Sequence, residues 1–444
     1  MNLTMRLVVL CLLLLSCGCQ GVSQQLKDEV SKCPKVPDFS QFISKIPKLG
    51  RRLTIASPCV GVHACGEALK VMGTPADSNN VYDLEEGYAN VLIDQLTKAG
   101  MKKIVLHLGE KSGNLLNTRF QDLETPVDWL IAGPPCPPWA GQGKKQGLND
   151  SRGQVFLRVL MWLYFFVKSA GLLGCILENV LGITYQYDGL ESTMSIFVSV
   201  LQKFMPEFAW SVDILKATDY LLPHTRVRVF LRGIRKEIAA VVPAVLPPFG
   251  SRTLEEALGD FPNCVRTDLS EPQQNNLKKF EMMIVDCLKE GKINRDDLVV
   301  VPVDRADNKT YDQNMTINAA PTLTCHNAYL FILSAGDVID GTPDEQRRFF
   351  RKFKNCERLT LQGLPAETAL LLEPSKAVKA AGNAYPMPLI IATLAPMLPA
   401  LTESSIQLAE WPPQRLLSQK VPEDMQAFVK ALKRKGQFLF KLSV

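Results

Sequence analysis

Residues 128–153 read DWLIAGPPCPPWAGQGKKQGLNDSRG, an apolar stretch that runs into Gly-Pro-Pro and then presents the thiol of Cys136. Proline fixes φ and donates no backbone hydrogen bond. Prolines on both sides of the cysteine, with Trp139 behind, therefore make a stiff, displayed turn at the end of a predicted strand. A thiolate is a strong nucleophile when its surroundings favour the charged form. The glycine- and lysine-rich residues 141–147 that follow read as a loop that moves. The chain has four histidines, His63, His107, His224 and His326, and none stands near Cys136 in sequence. A cysteine–histidine hydrolase would have to recruit one of them from another segment.

Two further segments carry chemistry. ILENV places Glu178 and Asn179 at the end of an apolar run, where a carboxylate must be solvated, paired or functional. A rim charge or a helix cap is the plain alternative. In LPHTRVRVFLRGI, Arg226 and Arg228 alternate with valines, which predicts one shared face of a strand. Arginine suits planar, bidentate recognition of anions and base edges, and an exposed strand face is again the plain alternative.

These residues need a scaffold, and the sequence predicts one. Between Leu53 and Ile234 short apolar runs (LTIAS, NNVYDL, KIVLHLG, DWLIAG, CILENV, RVRVFLRGI) alternate with helical stretches at 64–72, 86–99, 153–170 and 190–204. That alternation predicts an α/β fold with a doubly wound parallel sheet and sites at the carboxyl ends of its strands. Pro58 to Gly61, Asp83 and Gly133 to Cys136 fall at such ends. The run FLRVLMWLYFFVKSAGLLG is broken by Arg158 and Lys168 and reads as a buried helix. After Lys236 the texture becomes proline- and turn-rich, and residues 265–320 are polar and weakly periodic. The predicted organisation is residues 50–239 as a catalytic and cofactor-binding domain and 240–325 as a smaller, less regular domain. Residues 326–402 then return to the first domain, and 403–444 form a basic tail with a short amphipathic helix at its end. Residues 1–22, with an apolar run from Leu7 to Leu15, have a signal-like pattern.

Composition narrows the classes. The 444 residues are 46% hydrophobic and 21% charged, which is globular, and the net charge of +5 permits a polyanionic partner. The 12 cysteines are irregularly spaced without a repeated CxxC pair, so a zinc site and a disulfide scaffold are both unexpected.

Taken in order, GPPCPPWAGQGKKQGLNDSRG, ENV, RVRVF, CERLTLQGLP and GNAYPMPLIIA resemble the motifs of the cytosine-C5 methyltransferase family. The resemblance spans about 53–400, less its weakly matched middle. It implies a Rossmann-like S-adenosylmethionine-dependent domain with a target-recognition domain at about 240–325, and DNA as substrate. By the same resemblance, Cys136 attacks C6 of a flipped cytosine and Glu178 contacts N3 and the exocyclic amine. Arg228 lies near O2, and Arg226 orients the catalytic loop. On the cofactor side the resemblance implies Cys59 and Gly61 in the first turn and Asp83 on the ribose hydroxyls with Leu84 beside it. Gly109 and Glu110 then lie near the adenine, with Pro134, Asn383 and Ala384 completing the set. No metal is implied. The chain departs from the family pattern at His63 and Ala64, where glycines are common, and at Pro137 and His224, where glutamine is common. His63 and Ala64 raise the expectation of crowding beside the cofactor's amino-acid end.

Two other readings stay open on the sequence. An RNA (tRNA) cytosine-C5 methyltransferase would use the same chemistry, and a catalytically silent nucleic-acid-binding relative would account for the altered glycine turn. The expected location is the nucleus if the source is eukaryotic, against which the signal-like segment points to targeting elsewhere.

Overall fold

The computed structural model describes residues 22–44, 46–140, 147–186, 191–304, 315–325, 329–418 and 420–436. The signal-like run, residues 141–146 of the expected moving loop and His326 lie outside the described residues.

The chain folds as two compact units. Phe39–Leu215, Val227–Pro248 and the residues from Met387 form one, here the sheet unit. The described residues up to Asp38, with Lys216–Arg226 and Phe249–Pro386, form the other.

The sheet unit holds seven strands: β1 Leu53–Pro58, β2 Ala76–Asp83, β3 Ile104–Leu108, β4 Trp129–Ala132, β5 Gly174–Val180, β6 Phe208–Lys216 and β7 Val227–Arg235. Their order is β3-β2-β1-β4-β5-β7-β6. The first five pair in parallel, as expected; the apolar runs of β1, β4 and β5 are mostly buried, and β3 is half-buried along its length. β7 departs from the all-parallel expectation and runs antiparallel to β5, with Glu178 opposite Phe230 and Val180 opposite Arg228. The connection from Lys216 to Val227 carries only one short turn, Ala217–Asp219. A parallel crossover needs a dozen or more residues, usually a helix, so β7 must come back in the reverse direction.

The helix Gly153–Ser169 is buried along nearly its whole length. Its core partners include Ala56, Leu130, Ala132 and Leu177 from the sheet. Arg158, buried within it, donates to the carbonyls of Leu115 and Thr118 and lies 4.8 Å over the Phe120 ring. The basic C-terminal stretch forms the helix Met425–Gly436, which packs on this core rather than standing in solvent. Phe428 stacks on Tyr164 at 4.5 Å, and Met425 and Leu432 are buried with it. A second set of helices joins Ala64–Val71 with Ala89–Lys98 and with Met387–Leu394.

The other unit is more regular than its sequence suggests. The helix Glu271–Lys289 has Ser270 and Gln273 in a capping box and Pro272 in its first turn. It packs Leu277 and Ile284 onto Val299, Val301, Phe331, Leu333 and Phe350. Those residues belong to an antiparallel sheet of order β11-β10-β8-β9, with β8 Leu298–Pro302, β9 Thr316–Ile317, β10 Leu330–Ser334 and β11 Phe350–Lys352. This corrects the expected boundaries. β10 lies between β8 and β11, so residues 329–386 belong with 249–325, and only the chain from Met387 returns to the sheet unit.

His63 shows how the turn after β1 is built. It takes a left-handed conformation, φ 51° and ψ 52°, which is uncommon outside glycine, asparagine and aspartate. Its Nδ1 accepts a 2.7 Å hydrogen bond from the Gly66 backbone N–H, capping the helix Ala64–Val71. The neutral ring therefore carries its proton on Nε2, which is buried without a hydrogen-bond partner among the described residues. Burial pushes the imidazole down to about 4 from 6.5, so it resists protonation in the fold. The unfolded chain takes that proton first. Stability tied to His63 is thus full above pH 6.5 and is lost as pH falls toward 4, by on the order of 3 kcal/mol. Asparagine tolerates the same φ and can supply the same cap. Urea unfolding of His63→Asn between pH 7 and 4 should show a folded protein whose stability falls less steeply with acid than wild type. Parallel curves would show that the buried ring protonates without penalty.

Candidate active site

Cys136 sits just past the end of β4, half-buried, in a turn fixed from several directions. The backbone N–H groups of Trp139 and Ala140 both donate to the Cys136 carbonyl at 3.0 Å. The Gly147 N–H donates to the Pro138 carbonyl at 3.0 Å, closing the segment that carries the loop. Trp139 is buried against Phe156, and its indole N–H donates to Thr193 Oγ1 at 3.2 Å. Gly182, after β5, approaches so closely that a Cβ there would lie 2.1 Å from the Trp139 carbonyl oxygen. Asn179 completes the frame by donating from Nδ2 to the Pro134 carbonyl at 3.0 Å. The end of β5 thus holds the cysteine turn from beneath.

Glu178 lies beside that anchor, and Arg228 faces it across the β5–β7 pairing. Arg228 Nε is 2.8 Å from Glu178 Oε1, and each side chain is less than a tenth exposed. The approach is an ion pair without hydrogen-bond alignment, so the buried Oε1 has no hydrogen-bond donor among the described residues. Such an acceptor is costly to bury and is usually satisfied. Arg228 also donates to the Val227 carbonyl at 2.7 Å.

Arg226 does not share this arrangement. It precedes β7 and belongs to the other unit, where its guanidinium donates to the carbonyls of Leu323, Gly382 and Ala384 at 3.2, 3.2 and 2.8 Å. Asn383 and Ala384 stand there too, at the end of the helix Pro374–Asn383. Gln362 of CERLTLQGLP donates to the Ala381 carbonyl at 2.7 Å, and Glu357 of the same motif accepts from Arg351 and from the Gly259 N–H. Arg226 and two of the sequence motifs are therefore knitted into one backbone cluster.

The expected cofactor residues of the sheet unit gather at the ends of β1, β2 and β3. Asp83 accepts from the Gly61 N–H at 2.8 Å through Oδ2 and from the Glu85 N–H at 2.9 Å through Oδ1. Both carboxylate oxygens thus face the backbone of the two turns, one on each side of the strand end. Leu84 beside it is 55% exposed, an apolar surface next to a polar one. Gly109 has φ 78° and lies under Glu86, whose Oε1 would be 1.9 Å from a Cβ at this position. The Glu110 carboxylate is engaged by Asn114 Nδ2 at 2.6 Å. The Cys59 N–H donates to the Tyr82 carbonyl at 2.8 Å, and burial and then the Asp83 charge push its thiol up. His63 and Ala64 are buried with the cap described above, so neither adds exposed bulk to the turn. The set fits S-adenosylmethionine: backbone at a tight turn, a carboxylate for the ribose, and an apolar side chain beside it.

Sequence reasoning passed over Asp150 and Arg152. Asp150 accepts from Arg152 Nε at 2.9 Å and Nη2 at 2.6 Å, and its carboxylate holds the guanidinium above its ordinary value. The Cys136 sulfur is among the groups whose charge acts on Arg152. The Asp-x-Arg spacing in NDSRG was the available signal. Among the described residues, no three His, Cys, Asp or Glu side chains gather as a metal site would require.

Known proteins resemble the chain in sequence and in fold. The chain is 26% identical over 313 residues to the Type II methyltransferase M.DsaV of Dactylococcopsis salina, covering 67% of this chain and 78% of that one. It is 24% identical over 326 residues to the Type II methyltransferase M1.ScrFI of Lactococcus lactis subsp. cremoris, covering 72% and 74%. Among solved structures, the Entamoeba histolytica methyltransferase EhMeth superposes with a TM-score of 0.51 at 14% identity, over 78% of this chain and 98% of that one, a likeness of fold. The family model for the C-5 cytosine-specific DNA methylase matches residues 88–397. With that match running through most of its length, the protein belongs to the C-5 cytosine-specific DNA methylases and is a DNA cytosine-5 methyltransferase.

Proposed function

We propose that Cys136 is the nucleophile that adds to C6 of a cytosine drawn out of duplex DNA, and that Glu178 and Arg228 hold the ring for that addition. The observation that carries this reading is the buried Glu178 carboxylate, whose Oε1 pairs with Arg228 Nε at 2.8 Å yet accepts no aligned hydrogen bond among the described residues. Cytosine's exocyclic amine, and its N3 once protonated, are donors of the kind this oxygen lacks. The reacting carbon is inaccessible inside the base stack, so the base must be flipped out first.

The steps follow from the residues. The Cys136 thiolate forms a bond to C6, and the C5=C6 electron pair moves toward C5. Glu178 stabilises the ring as N3 takes up a proton from solvent, which it gives back when the C5=C6 bond re-forms, and Arg228 favours charge on O2. Arg152, held by Asp150, is near enough to interact with the sulfur during the addition. S-adenosylmethionine, when bound, supplies the methyl group that C5 takes. A base then removes the C5 proton, the C5=C6 bond re-forms, and Cys136 leaves with the electron pair it brought. The addition splits a difficult substitution at a poor electrophile into two easier steps. Cys59, Gly61, Asp83 and Leu84, with Gly109, Glu110 and Pro134, are the sheet-unit residues assigned to the cofactor. Asn383 and Ala384 lie in the other unit. That unit, which contains Phe249–Pro386, is assigned the choice of target sequence.

Two experiments test the assignment. Duplex DNA carrying 5-fluorocytosine should trap the enzyme when S-adenosylmethionine is present, because fluorine cannot leave as the C5 proton does. The adduct should survive denaturation, map by mass spectrometry to the peptide containing Cys136, and be absent in Cys136→Ser, whose hydroxyl is a far weaker nucleophile. An adduct on Cys59 or Cys175 would remove Cys136 from its role. For the carboxylate, Glu178→Gln should fold and bind DNA but turn over about 10² to 10⁴ times more slowly, the usual scale for a proton-handling group. Turnover within a few-fold of wild type would make Glu178 a partner for Arg228 and nothing more.

A further inference from the structure

Nothing in the methyl-transfer chemistry accounts for the placement of Cys33 and Cys356. Cys33 follows the N-terminal helix Gln24–Ser31, and Cys356 lies in the first turn of the helix Asn355–Thr360, which opens CERLTLQGLP. Both are free thiols in the same compact unit, 9% and 2% exposed. The Cys356 thiol is the neighbour that acts most on the Cys33 thiol. Cys356 Sγ also lies 3.9 Å from the Glu29 carbonyl, one helical turn before Cys33.

The backbones around the two sulfurs are fixed independently. Lys354 Nζ pairs with Glu29 Oε1 at 2.9 Å. A Cβ on Gly259 would lie 2.7 Å from the Lys32 carbonyl oxygen, so that segment is pressed against the end of the helix. The Gln24–Ser31 helix also packs on the turn Ala366–Leu371. Contacts on both sides therefore hold the thiols in register without any covalent bond between them.

We propose that Cys33 and Cys356 are an oxidative modification site, a dithiol that closes to a disulfide and staples the N-terminal helix to the unit assigned to target recognition. With a glutathione disulfide as oxidant the step balances. One protein thiolate displaces one glutathione thiolate to give a mixed disulfide. The second protein thiolate attacks that disulfide at the protein sulfur and displaces the second glutathione. Two protein thiols and one glutathione disulfide become one protein disulfide and two glutathione thiols. The neighbouring Cys356 thiol, together with burial, raises the Cys33 thiol well above its ordinary value. Exchange requires a thiolate and access, so closure is slow in the tightly folded chain. Loosening of the helix or a more alkaline solution speeds it. Once formed, the bond is shielded from reductants by the same burial.

The test uses the full chain, incubated with oxidised glutathione at pH 8.5 with and without urea below the unfolding transition. Non-reducing peptide mapping should find the Cys33 and Cys356 peptides joined, at a mass two hydrogens below their sum. The thermal midpoint should rise by several degrees, because the bond closes a very long loop, and dithiothreitol should reverse the rise. Cys33→Ala and Cys356→Ala should each abolish both the cross-link and the shift. Comparing one wild-type sample before and after dithiothreitol keeps the test valid if a variant folds poorly. Mixed glutathione adducts on these cysteines without a cross-link, or a cross-link between other cysteines, would overturn the proposal.

Discussion

The pairing of β5 with β7 is the constraint on which the site depends. β5 alone presents Glu178 at a strand end, with nothing to offset the burial of its charge. β7 arrives antiparallel and sets Arg228 opposite Val180, close enough to pair with that carboxylate. A buried ion pair recovers its desolvation cost only where further groups satisfy what remains, and among the described residues Oε1 has the Arg228 charge beside it but no aligned hydrogen bond. The reversal of chain direction after the short Ala217–Asp219 turn is thus a chemical feature as much as a topological one.

The same economy governs the thiols. Burial pushes the Cys65 and Cys175 thiols up, toward the inert form, and Cys59 is raised by burial and the Asp83 charge. Cys136 is placed differently from these three, half-buried in a turn held by Asn179 and Trp139. Rigidity comes from the frame beneath it, so the sulfur need not be packed into the core to be held in place.

Much of this was legible in sequence because buried parallel strands are written as short apolar runs closed by turn residues. β1 to β5 and β7 were found that way. β6 was not, because its residues Val212 and Ile214 are 40% and 52% exposed at the sheet's edge, which blurs the pattern. The Glu271–Lys289 helix was missed because only Leu277 and Ile284 are fully buried on it, a stripe too thin to read among polar residues. Spacing placed Arg226 and Arg228 together, yet the first turns to backbone carbonyls and the second to a carboxylate. Periodicity specifies a face and leaves the partner unspecified. Asn179 was quoted only as a neighbour of Glu178, since an amide's anchoring contact to a proline carbonyl 45 residues away has no local signature.

The interleaving of the two units has a consequence for how the molecule is made. The sheet unit is not finished until the Met387–Leu394 helix reaches the Ala64–Val71 helix, and its core is not closed until Phe428 meets Tyr164. The other unit gathers its N-terminal helix, the short segment before β7 and the chain to Pro386. During vectorial synthesis both units therefore wait for late-arriving chain, with Phe156, Trp162 and Phe166 already translated. Large apolar surfaces awaiting distant partners are what chaperones hold, so this architecture ties the yield of active enzyme to the period between translation of the sheet and arrival of the last helices.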